Sequence, residues 1–326
     1  MNKITLALFA FNQEKFIEEA VLGALSQDYK NLEVIISDDC SSDNTYEIIR
    51  RTISDYSGPH KVILNRNAKN LGLCNHINKV FDLSSGDLIV MAAGDDISLP
   101  QRVSTLVSAW VSHGSPDGLI FSDAINIDEN GNEINTYSTD TKIPSVCEYL
   151  ITFVHFIHGA TVAYSKSIVE NFEPLPSDCF SEDRILSFRS LLSGRAYKVN
   201  SALVKYRKNS SSLSNINRNN FEYAIKFCNE CMRIISQHAR DSKNFSTLHA
   251  KCDVNYHLNN KMRQFEKYKK ILEKGGFISR LVAPFFFPIK TSFYIKINTI
   301  LYNFHMGNSI LYKFLHSIYF KFSEFR

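Results

Sequence analysis

The chain has 326 residues, of which 44% are hydrophobic and 21% charged, so it is long enough for one large domain with an appendage or for two domains. The net charge of +4 is uneven, because residues 261–326 hold 12 Lys and Arg against 3 Asp and Glu. Seven scattered cysteines exclude a disulfide scaffold and favour free thiols, and no apolar run is long enough to span a membrane.

Apolar segments alternate with amphipathic segments through the first 130 residues. We predict strands at 4–10, 32–39, 61–66 and 87–93, and helices at 12–27, 41–53, 74–83 and 100–113. Asn12 is placed to cap the first helix. A fifth strand at 117–128 leads into a hairpin turn at 129–133. This alternation predicts an α/β protein with a mostly parallel sheet that helices cover on both faces.

Carboxylates follow two of the predicted strands. Asp38 and Asp39 end the second strand, and Asp95 and Asp96 follow the fourth. Because ligands bind at the carboxyl edge of such sheets, these side chains are candidates for a binding site. Adjacent carboxylates suit Mg²⁺ or Mn²⁺, which could bind a nucleoside diphosphate. Helix-start or turn residues remain the alternative reading of each pair, and neither a dinucleotide fingerprint nor a P-loop is present.

Four segments stand out by their order and spacing: "FAFNQEKFIEEAVLGALSQ", "LEVIISDDCSSDNT", "NLGL" and "AAGDDISLP". Together they resemble the donor half of family 2 glycosyltransferases with the GT-A fold, of the type that builds bacterial O-antigen and capsular polysaccharide. The resemblance is good over residues 3–125 and weaker to 215. It implies a GT-A domain at 1–215, with a nucleotide-sugar half at 1–125 and an acceptor half at 126–215.

The resemblance also implies roles for residues at the strand ends. Asp95 and Asp96 stand at the family's metal-binding motif, with Asp96 favoured as the direct ligand, but Ala93 occupies a position that is commonly acidic. The implied donor-binding residues are Phe9, Ala10, Phe11, Asn12, Asp39, Asn70, Gly72, Asp95 and Arg207.

The segment "SEDRILSFR" resembles the motif that supplies the catalytic base of inverting members. Asp183 would be the base and Glu182 its neighbour, although two acids in the first turn of a helix are also favoured by the helix dipole. Tyr206 and Arg207 resemble a family segment that usually continues to a histidine, and Lys208 stands there instead. A histidine ligand is therefore not available at that position, but Arg207 or Lys208 could contact phosphate. His158 could lie near the acceptor or be structural.

Residues 216–326 form the predicted helical appendage. Its basic, aromatic end includes a helical stripe from Ile310 to Phe322, which is typical of a segment lying on an anionic membrane surface or packing on the catalytic domain. Nucleic acid is not an expected partner, because no RNA-binding or helix-turn-helix motif accompanies the charge. The pair Cys228 and Cys231 is a weak metal or redox signal.

The resemblance, together with the basic tail, implies an inverting glycosyltransferase that moves a sugar from a nucleoside-diphosphate donor, UDP favoured, to a lipid-linked glycan. Since residues 1–16 lack a leader cleavage site, we expect a cytoplasmic protein at the inner face of the membrane. Two alternatives stay open. One is a non-catalytic nucleotide-sugar-binding subunit, which the missing acid at Ala93 motivates. The other is a nucleotidyltransferase, of whose glycine-rich and basic signature "FAFNQEK" is a poor version.

Overall fold

A computed structural model describes residues 2–138, 142–208, 221–245 and 252–273 of the chain. The chain divides into two compact units. The first comprises residues 1–146, 155–210 and 240–245, and the second comprises residues 147–154, 211–239 and 246–326. The predicted domain boundary at 215 and the stripe from Ile310 to Phe322 lie outside the described residues.

Strands and helices alternate as expected in the first part of the chain. The strands are β1 (Ile4–Ala10), β2 (Leu32–Asp38), β3 (Lys61–Arg66), β4 (Leu88–Ala93), β5 (Ile97–Ser98), β6 (Leu119–Ile127), β7 (Glu133–Tyr137), β8 (Val162–Ser165) and β9 (Ala196–Arg207). The helices are α1 (Ile17–Leu25), α2 (Thr45–Ser54), α3 (Leu73–Leu83), α4 (Arg102–Ser112), α5 (Val146–Thr152), α6 (Ser167–Glu170), α7 (Glu182–Leu192), α8 (Phe221–Asp241) and α9 (Val254–Glu273).

The nine strands form one mixed sheet, in the order β3-β2-β1-β4-β8-β6-β9-β5, with β7 paired to β6. Strands β1 to β4 are parallel to one another, whereas β8 is antiparallel to β4 and to β6. Strand β6 therefore points the same way as β4, and β9 is parallel to β6. As a result, the carboxyl ends of six strands and the amino end of β8 meet at one edge of the sheet.

Helices cover both faces of this sheet. Alternate residues of β1, such as Ile4 and Leu6, pack in one core with apolar side chains of α1 and α4. The intervening residue Ala7 is also fully buried, and α3 contacts β1 and β2 without contributing to that core. Burial on both faces explains why these strands read as continuous apolar runs in the sequence. The predicted α/β class is confirmed.

The first helix begins later than predicted. It starts at Ile17 rather than at residue 12, and no side chain caps it. Asn12 has a left-handed backbone conformation with φ of 52°. Its side-chain oxygen instead accepts a hydrogen bond from the backbone N–H of Ser42, 2.9 Å away. The prediction that Asn12 caps the helix is therefore wrong, because the side chain holds the neighbouring strand-end loop.

The second unit is helical where the structure describes it. Residue Phe153 packs against Phe265 of α9 and against His238 of α8. Cys147 and Cys252 form a disulfide, so the expectation of free thiols is wrong for these two residues. The other five cysteines, all within the described residues, are not part of a disulfide. No helix within the described ranges is both long and apolar enough to cross a membrane.

Candidate active site

The end of β2 carries the first acidic pair, and both carboxylates are buried. Asp38 accepts a hydrogen bond from the backbone N–H of Ser41 at 3.0 Å and from its hydroxyl. Asp38 Oδ2 also lies 3.4 Å from Arg66 Nε at the end of β3. These contacts shape the loop that follows β2, so Asp38 has a structural role.

Asp39 connects the end of β2 with the loop before α3. Its carboxylate accepts hydrogen bonds from Asn67 Nδ2 at 2.8 Å and from the backbone N–H groups of Leu71 and Gly72 at 2.9 and 3.1 Å. Gly72 has a φ of 75°, which a residue with a side chain adopts only with strain. The side-chain oxygen of Asn70 accepts a further hydrogen bond from the Gly72 N–H. The structure thus brings Asp39, Asn70 and Gly72 together, as the sequence predicts.

A buried hydrogen-bond chain lies behind this loop. His76 Nε2 is 2.6 Å from the hydroxyl of Ser37, which also accepts a bond from Asn65. The His76 ring packs edge-on against Phe9 at 5.2 Å between ring centres. Burial lowers the pKa of His76, although the charges of Asp39 and Asp38 act in the opposite direction. The neutral imidazole therefore packs against Phe9 in the predicted donor pocket. Phe11, in the same segment, is exposed.

The second acidic pair follows β4 at the same edge of the sheet. Asp96 is only 6% exposed, and its Oδ1 accepts a hydrogen bond of 2.8 Å from the backbone N–H of Arg207. Strand β5 begins at the next residue and pairs with β9, which fixes the turn containing Asp95 and Asp96. Burial and then the charge of Asp95 raise the pKa of Asp96 well above its ordinary value, and the nearby arginine charges offset this only in part.

Arg207 contacts the protein on several sides. Its guanidinium donates hydrogen bonds to the backbone oxygens of Asp95, Asp128 and Glu129, at distances between 3.0 and 3.2 Å. It also pairs with Glu19 of α1 and lies over the ring of Phe16. The side chain is 1% exposed. In this conformation the donors of Arg207 hold the acidic turn in place, and its role as a phosphate ligand stays a prediction.

Arg102 is a second buried arginine near Asp96. It donates to the backbone oxygens of Met91 and Ala160 at 2.7 and 2.8 Å and to the hydroxyl of Ser98 at 2.9 Å. Burial lowers the pKa of Arg102 to about 10, while the Asp96 charge acts to raise it. The guanidinium therefore stays charged at neutral pH and connects β4 with the turn before β8.

Asp95 and Asp96 have the chemistry of a site for a divalent cation. They offer hard oxygen donors, and the raised pKa of Asp96 indicates negative charge that the protein leaves partly uncompensated. Among the described residues, no group of three or more His, Cys, Asp or Glu is placed to hold a metal ion. The donor set fits a cation such as Mg²⁺ that takes one or two carboxylates and completes its shell with water and phosphate oxygens.

The third acidic pair, Glu182 and Asp183, begins helix α7. Asp183 Oδ2 lies 2.9 Å from Nε2 of His155, and both side chains are partly shielded from water. Burial alone would raise the pKa of Asp183, but the charge and hydrogen bond of His155, with help from Arg184, hold it at about 2. Asp183 is therefore ionised at neutral pH, as a proton acceptor must be.

A turn at Gly159–Thr161 connects the two acidic sites. A side-chain carbon added at Gly159 would lie 3.5 Å from Asp183 Oδ2, so the carboxylate sits against the turn. His158, just before the turn, packs edge-on against the ring of Tyr206, 4.2 Å away between ring centres. Tyr206 is adjacent to Arg207, whose backbone binds Asp96. The contacts thus place Asp183 in the neighbourhood of the second acidic pair.

Three contributors to the site have no signal in the sequence. Arg102 occupies a helix position where its side chain is fully buried, and His155 lies in a segment without regular structure. Tyr164 on β8 is buried, and burial together with the charges of Asp183 and Glu182 raises its pKa. Each is recognisable only from its contacts across the fold.

Comparison with known proteins gives a consistent family. The family model described as "Glycosyl transferase family 2" matches residues 5–172. "Putative glycosyltransferase EpsE" of Bacillus subtilis is 28% identical over 232 residues, which are 68% of this chain and 78% of that protein.

Two relatives that match over about a third of this chain have more specific names. "GalNAc(5)-diNAcBac-PP-undecaprenol beta-1,3-glucosyltransferase" of Campylobacter jejuni is 34% identical over 107 residues, which are 33% of this chain and 34% of that protein. "UDP-Glc:alpha-D-GlcNAc-diphosphoundecaprenol beta-1,3-glucosyltransferase WfaP" of Escherichia coli is 31% identical over 107 residues, which are 33% and 41% of the two chains.

Solved structures share the fold at low sequence identity. The mannosyltransferase PcManGT from Pyrobaculum calidifontis, in complex with GDP-Man and Mn²⁺, aligns with a TM-score of 0.58 at 16% identity, over 99% of this chain and 80% of that one. TarS residues 1–349 from S. aureus, in complex with UDP, aligns with a TM-score of 0.55 at 15% identity, over 92% and 88%. The likeness supports the GT-A-like fold.

Proposed function

Because the chain belongs to glycosyl transferase family 2, and so is a glycosyltransferase that uses a nucleotide-sugar donor, we propose that it builds a lipid-linked surface polysaccharide by inverting sugar transfer. The observation that carries this proposal is the acidic turn of Asp95 and Asp96 at the carboxyl edge of the sheet, with a third carboxylate, Asp183, nearby. In this arrangement Asp95 and Asp96 would act on the donor diphosphate, and Asp183 would act on the acceptor hydroxyl.

The donor side is the strand-end pocket from Phe9 to Asn12, together with the loop that Asp39 holds. Asp39 fixes the loop of residues 67–72 through three hydrogen bonds, and this loop borders the place where a nucleoside would lie in a parallel sheet. UDP is the favoured nucleotide, since one relative is named for UDP-Glc and a structural relative was solved with UDP.

The metal side is the turn of Asp95 and Asp96. These residues would hold Mg²⁺ or Mn²⁺, with Asp96 as the favoured direct ligand. When bound, the cation neutralises the negative charge of the departing nucleoside diphosphate. Arg207 holds the turn through its bonds to Asp95 and Asp96, and Arg102 bonds to Met91 before the turn and to Ser98 after it, so the backbone that carries the two carboxylates is fixed.

The acceptor side is Asp183. As the acceptor hydroxyl attacks the anomeric carbon, its proton passes to the Asp183 carboxylate, while the bond from that carbon to the diphosphate breaks. Attack from the face opposite the leaving group inverts the configuration. A single base suffices here, whereas a glycosidase needs two carboxyl groups flanking the scissile bond. Glu182, next to the base, adds negative charge at the start of α7.

A lipid-linked acceptor is supported by the relatives named for undecaprenol-linked glycans. Such an acceptor places the reaction at the inner face of the cytoplasmic membrane. The basic, aromatic end of the chain, which lies outside the described residues, would contact anionic lipid there.

Calorimetric titration with UDP, GDP and dTDP, each with and without Mn²⁺, tests the donor and metal assignments. We expect metal-dependent binding of one nucleotide and its loss in Asp96→Ala. Transfer assays with a panel of lipid-linked glycans then test catalysis, and we expect Asp183→Asn to abolish transfer without weakening donor binding. Donor binding with neither transfer nor hydrolysis would favour the non-catalytic subunit that Ala93 motivates, and binding of no nucleotide would refute the donor-site proposal.

A further inference from the structure

We propose that strand β7 carries the subsite for the acceptor sugar. The ring of Tyr137 stacks on the apolar face of a pyranose, and the side chain of Asn135 donates a hydrogen bond to one of the sugar hydroxyls. The inference rests on the proposed function, because it takes Asp183 as the base and a glycan as the acceptor. Neither Tyr137 nor Asn135 lies in a family-like motif of the sequence.

Three aromatic rings form a row next to the proposed base. The ring of Tyr137 packs edge-on against His158, with 5.3 Å between ring centres, and His158 packs edge-on against Tyr206 at 4.2 Å. The next residue is Gly159, where an added side-chain carbon would lie 3.5 Å from Asp183 Oδ2. The ring of Tyr137 is therefore connected to the Asp183 carboxylate through His158 and the turn that follows it.

Tyr137 is the exposed member of this row. Its exposed fraction is 37%, whereas that of Tyr206 is 7%, and the ammonium of Lys208 lies 4.4 Å from the centre of the Tyr206 ring. Burial, with help from the charges of Lys208 and His155, lowers the pKa of His158 to about 4, so at neutral pH the imidazole packs as an uncharged ring. His158 thus supports the Tyr137 ring, and the exposed part of that ring faces a ligand or water.

A pyranose has the shape and polarity to cover such a ring. One face of the sugar presents C–H groups, which are apolar and slightly positive, and the face of an aromatic ring carries the complementary negative charge. The hydroxyls at the rim of the sugar remain available to water and polar side chains. When an acceptor hydroxyl lies at Asp183, the sugar that carries it, or the next sugar of the glycan, would cover Tyr137.

Asn135 places a polar group beside this ring. It lies two residues before Tyr137 on β7, so the two side chains are on the same face of the strand. Asn135 Oδ1 accepts a hydrogen bond of 2.6 Å from Nδ2 of Asn126, which lies opposite on β6 and is only 8% exposed. Because this bond orients the amide through its oxygen, Nδ2 of the exposed Asn135 is the group that would donate to a hydroxyl.

Binding is tested by saturation-transfer NMR with the full chain, UDP and Mn²⁺. The probes are the methyl pyranosides of glucose, galactose, mannose, N-acetylglucosamine, N-acetylgalactosamine and rhamnose. We expect at least one of them to bind the wild type and Tyr137→Phe equally, and to bind Tyr137→Ala about five- to tenfold more weakly, because stacking needs the ring and not its hydroxyl. Ile134→Ala is the matched control and should bind like the wild type, because Ile134 is 57% exposed on the opposite face of the same strand.

Steady-state transfer to the most active lipid-linked acceptor distinguishes an acceptor sugar from the sugar of the donor. Y137A should raise the KM for acceptor about five- to tenfold, while the KM for donor stays within about twofold and kcat at saturating acceptor changes little. Asn135→Asp keeps an oxygen for the Asn126 bond but removes the donor group, so it should also raise the KM for acceptor about fivefold.

The outcomes distinguish this inference from the proposed function. If Y137A matches the wild type in sugar binding or in the KM for acceptor, the subsite on β7 is wrong while the function stands. If Y137A raises the KM for donor instead, the ring contacts the donor sugar and the inference is overturned. If D183N transfers at the wild-type rate, the base assignment itself fails. If Y137A does not fold, Tyr137→Leu, which fills the space against His158 without an aromatic face, must show the same loss.

Discussion

Replacing Arg207 with lysine tests whether this side chain holds the acidic turn or binds substrate phosphate. The guanidinium satisfies three backbone oxygens and pairs with Glu19. A lysine ammonium reaches one or two of these groups, so about two partly buried carbonyls lose their partner at about 1–2 kcal/mol each. Glu19 is more than half exposed and adds little. We therefore expect a loss of about 2–4 kcal/mol, or about 4–16 °C in melting temperature.

Thermal unfolding of R207K is the measurement, followed by calorimetric titration with nucleotide at a temperature where the variant is folded. Arg51→Lys is the matched control, since Arg51 pairs with Glu18 on the surface and both side chains are more than half exposed. We expect R51K to change stability by less than about 0.5 kcal/mol. If R207K melts like R51K but binds nucleotide at least tenfold more weakly, the structural role is refuted and the phosphate role is restored.

Three further predictions concern Asp96, Glu33 and Gly72. Asp96→Asn keeps an acceptor for the Arg207 N–H and removes a buried charge, so the metal-free protein should melt a few degrees higher than the wild type. Calorimetry should show no metal-dependent nucleotide binding by this variant. A lower melting temperature would contradict the prediction. Hydrogen bonds from Ser85 and Thr5 outweigh burial and lower the pKa of Glu33 below 4.5, so its contribution to stability is present above that pH and lost as pH falls. Denaturation of Glu33→Gln should therefore show a deficit in stability at pH 7 that closes as pH falls through the lowered pKa of Glu33. Gly72→Ala should cost about 1–2 kcal/mol through its positive φ and also weaken nucleotide binding, whereas Gly194→Ala, at φ 79°, should cost the same and leave binding unchanged.

The parallel strands could be predicted because their physical cause is local. Strands β1 and β2 are buried on both faces, so their apolar runs mark them to within one residue. Strand β9 was not predicted, since it carries exposed polar residues such as Asn200 and Ser201 and gains its place by pairing with β6. The sequence pattern places the start of α1 five residues too early. Asparagine is a common capping residue, but the side chain of Asn12 bonds to Ser42 in another loop.

The same distinction between local and long-range causes applies to the candidate site. The edge position of Asp39, Asp95 and Asp96 follows from the parallel direction of the strands, which the alternating pattern indicates. The partners of these residues do not follow from it. The predicted phosphate contact of Arg207 comes from the resemblance of its segment to the family, whereas its observed contacts lie on α1 and on the turn between β6 and β7. Likewise, the contact of His155 with Asp183 depends on where the chain returns to the sheet.

The pairing of β9 with β5 has a consequence for how the protein is made. Residues 5–172, which carry the family match, emerge from the ribosome before β9 has been synthesised. Until Arg207 arrives, Asp96 lacks the N–H that it accepts across 111 residues of chain. The acidic turn therefore takes its final form late, after the acceptor-side helix α7 has been completed. A nascent chain that ends before β9 would contain Asp95 and Asp96 without the backbone N–H that binds Asp96, so the proposed cation site would be completed only after β9 has been synthesised.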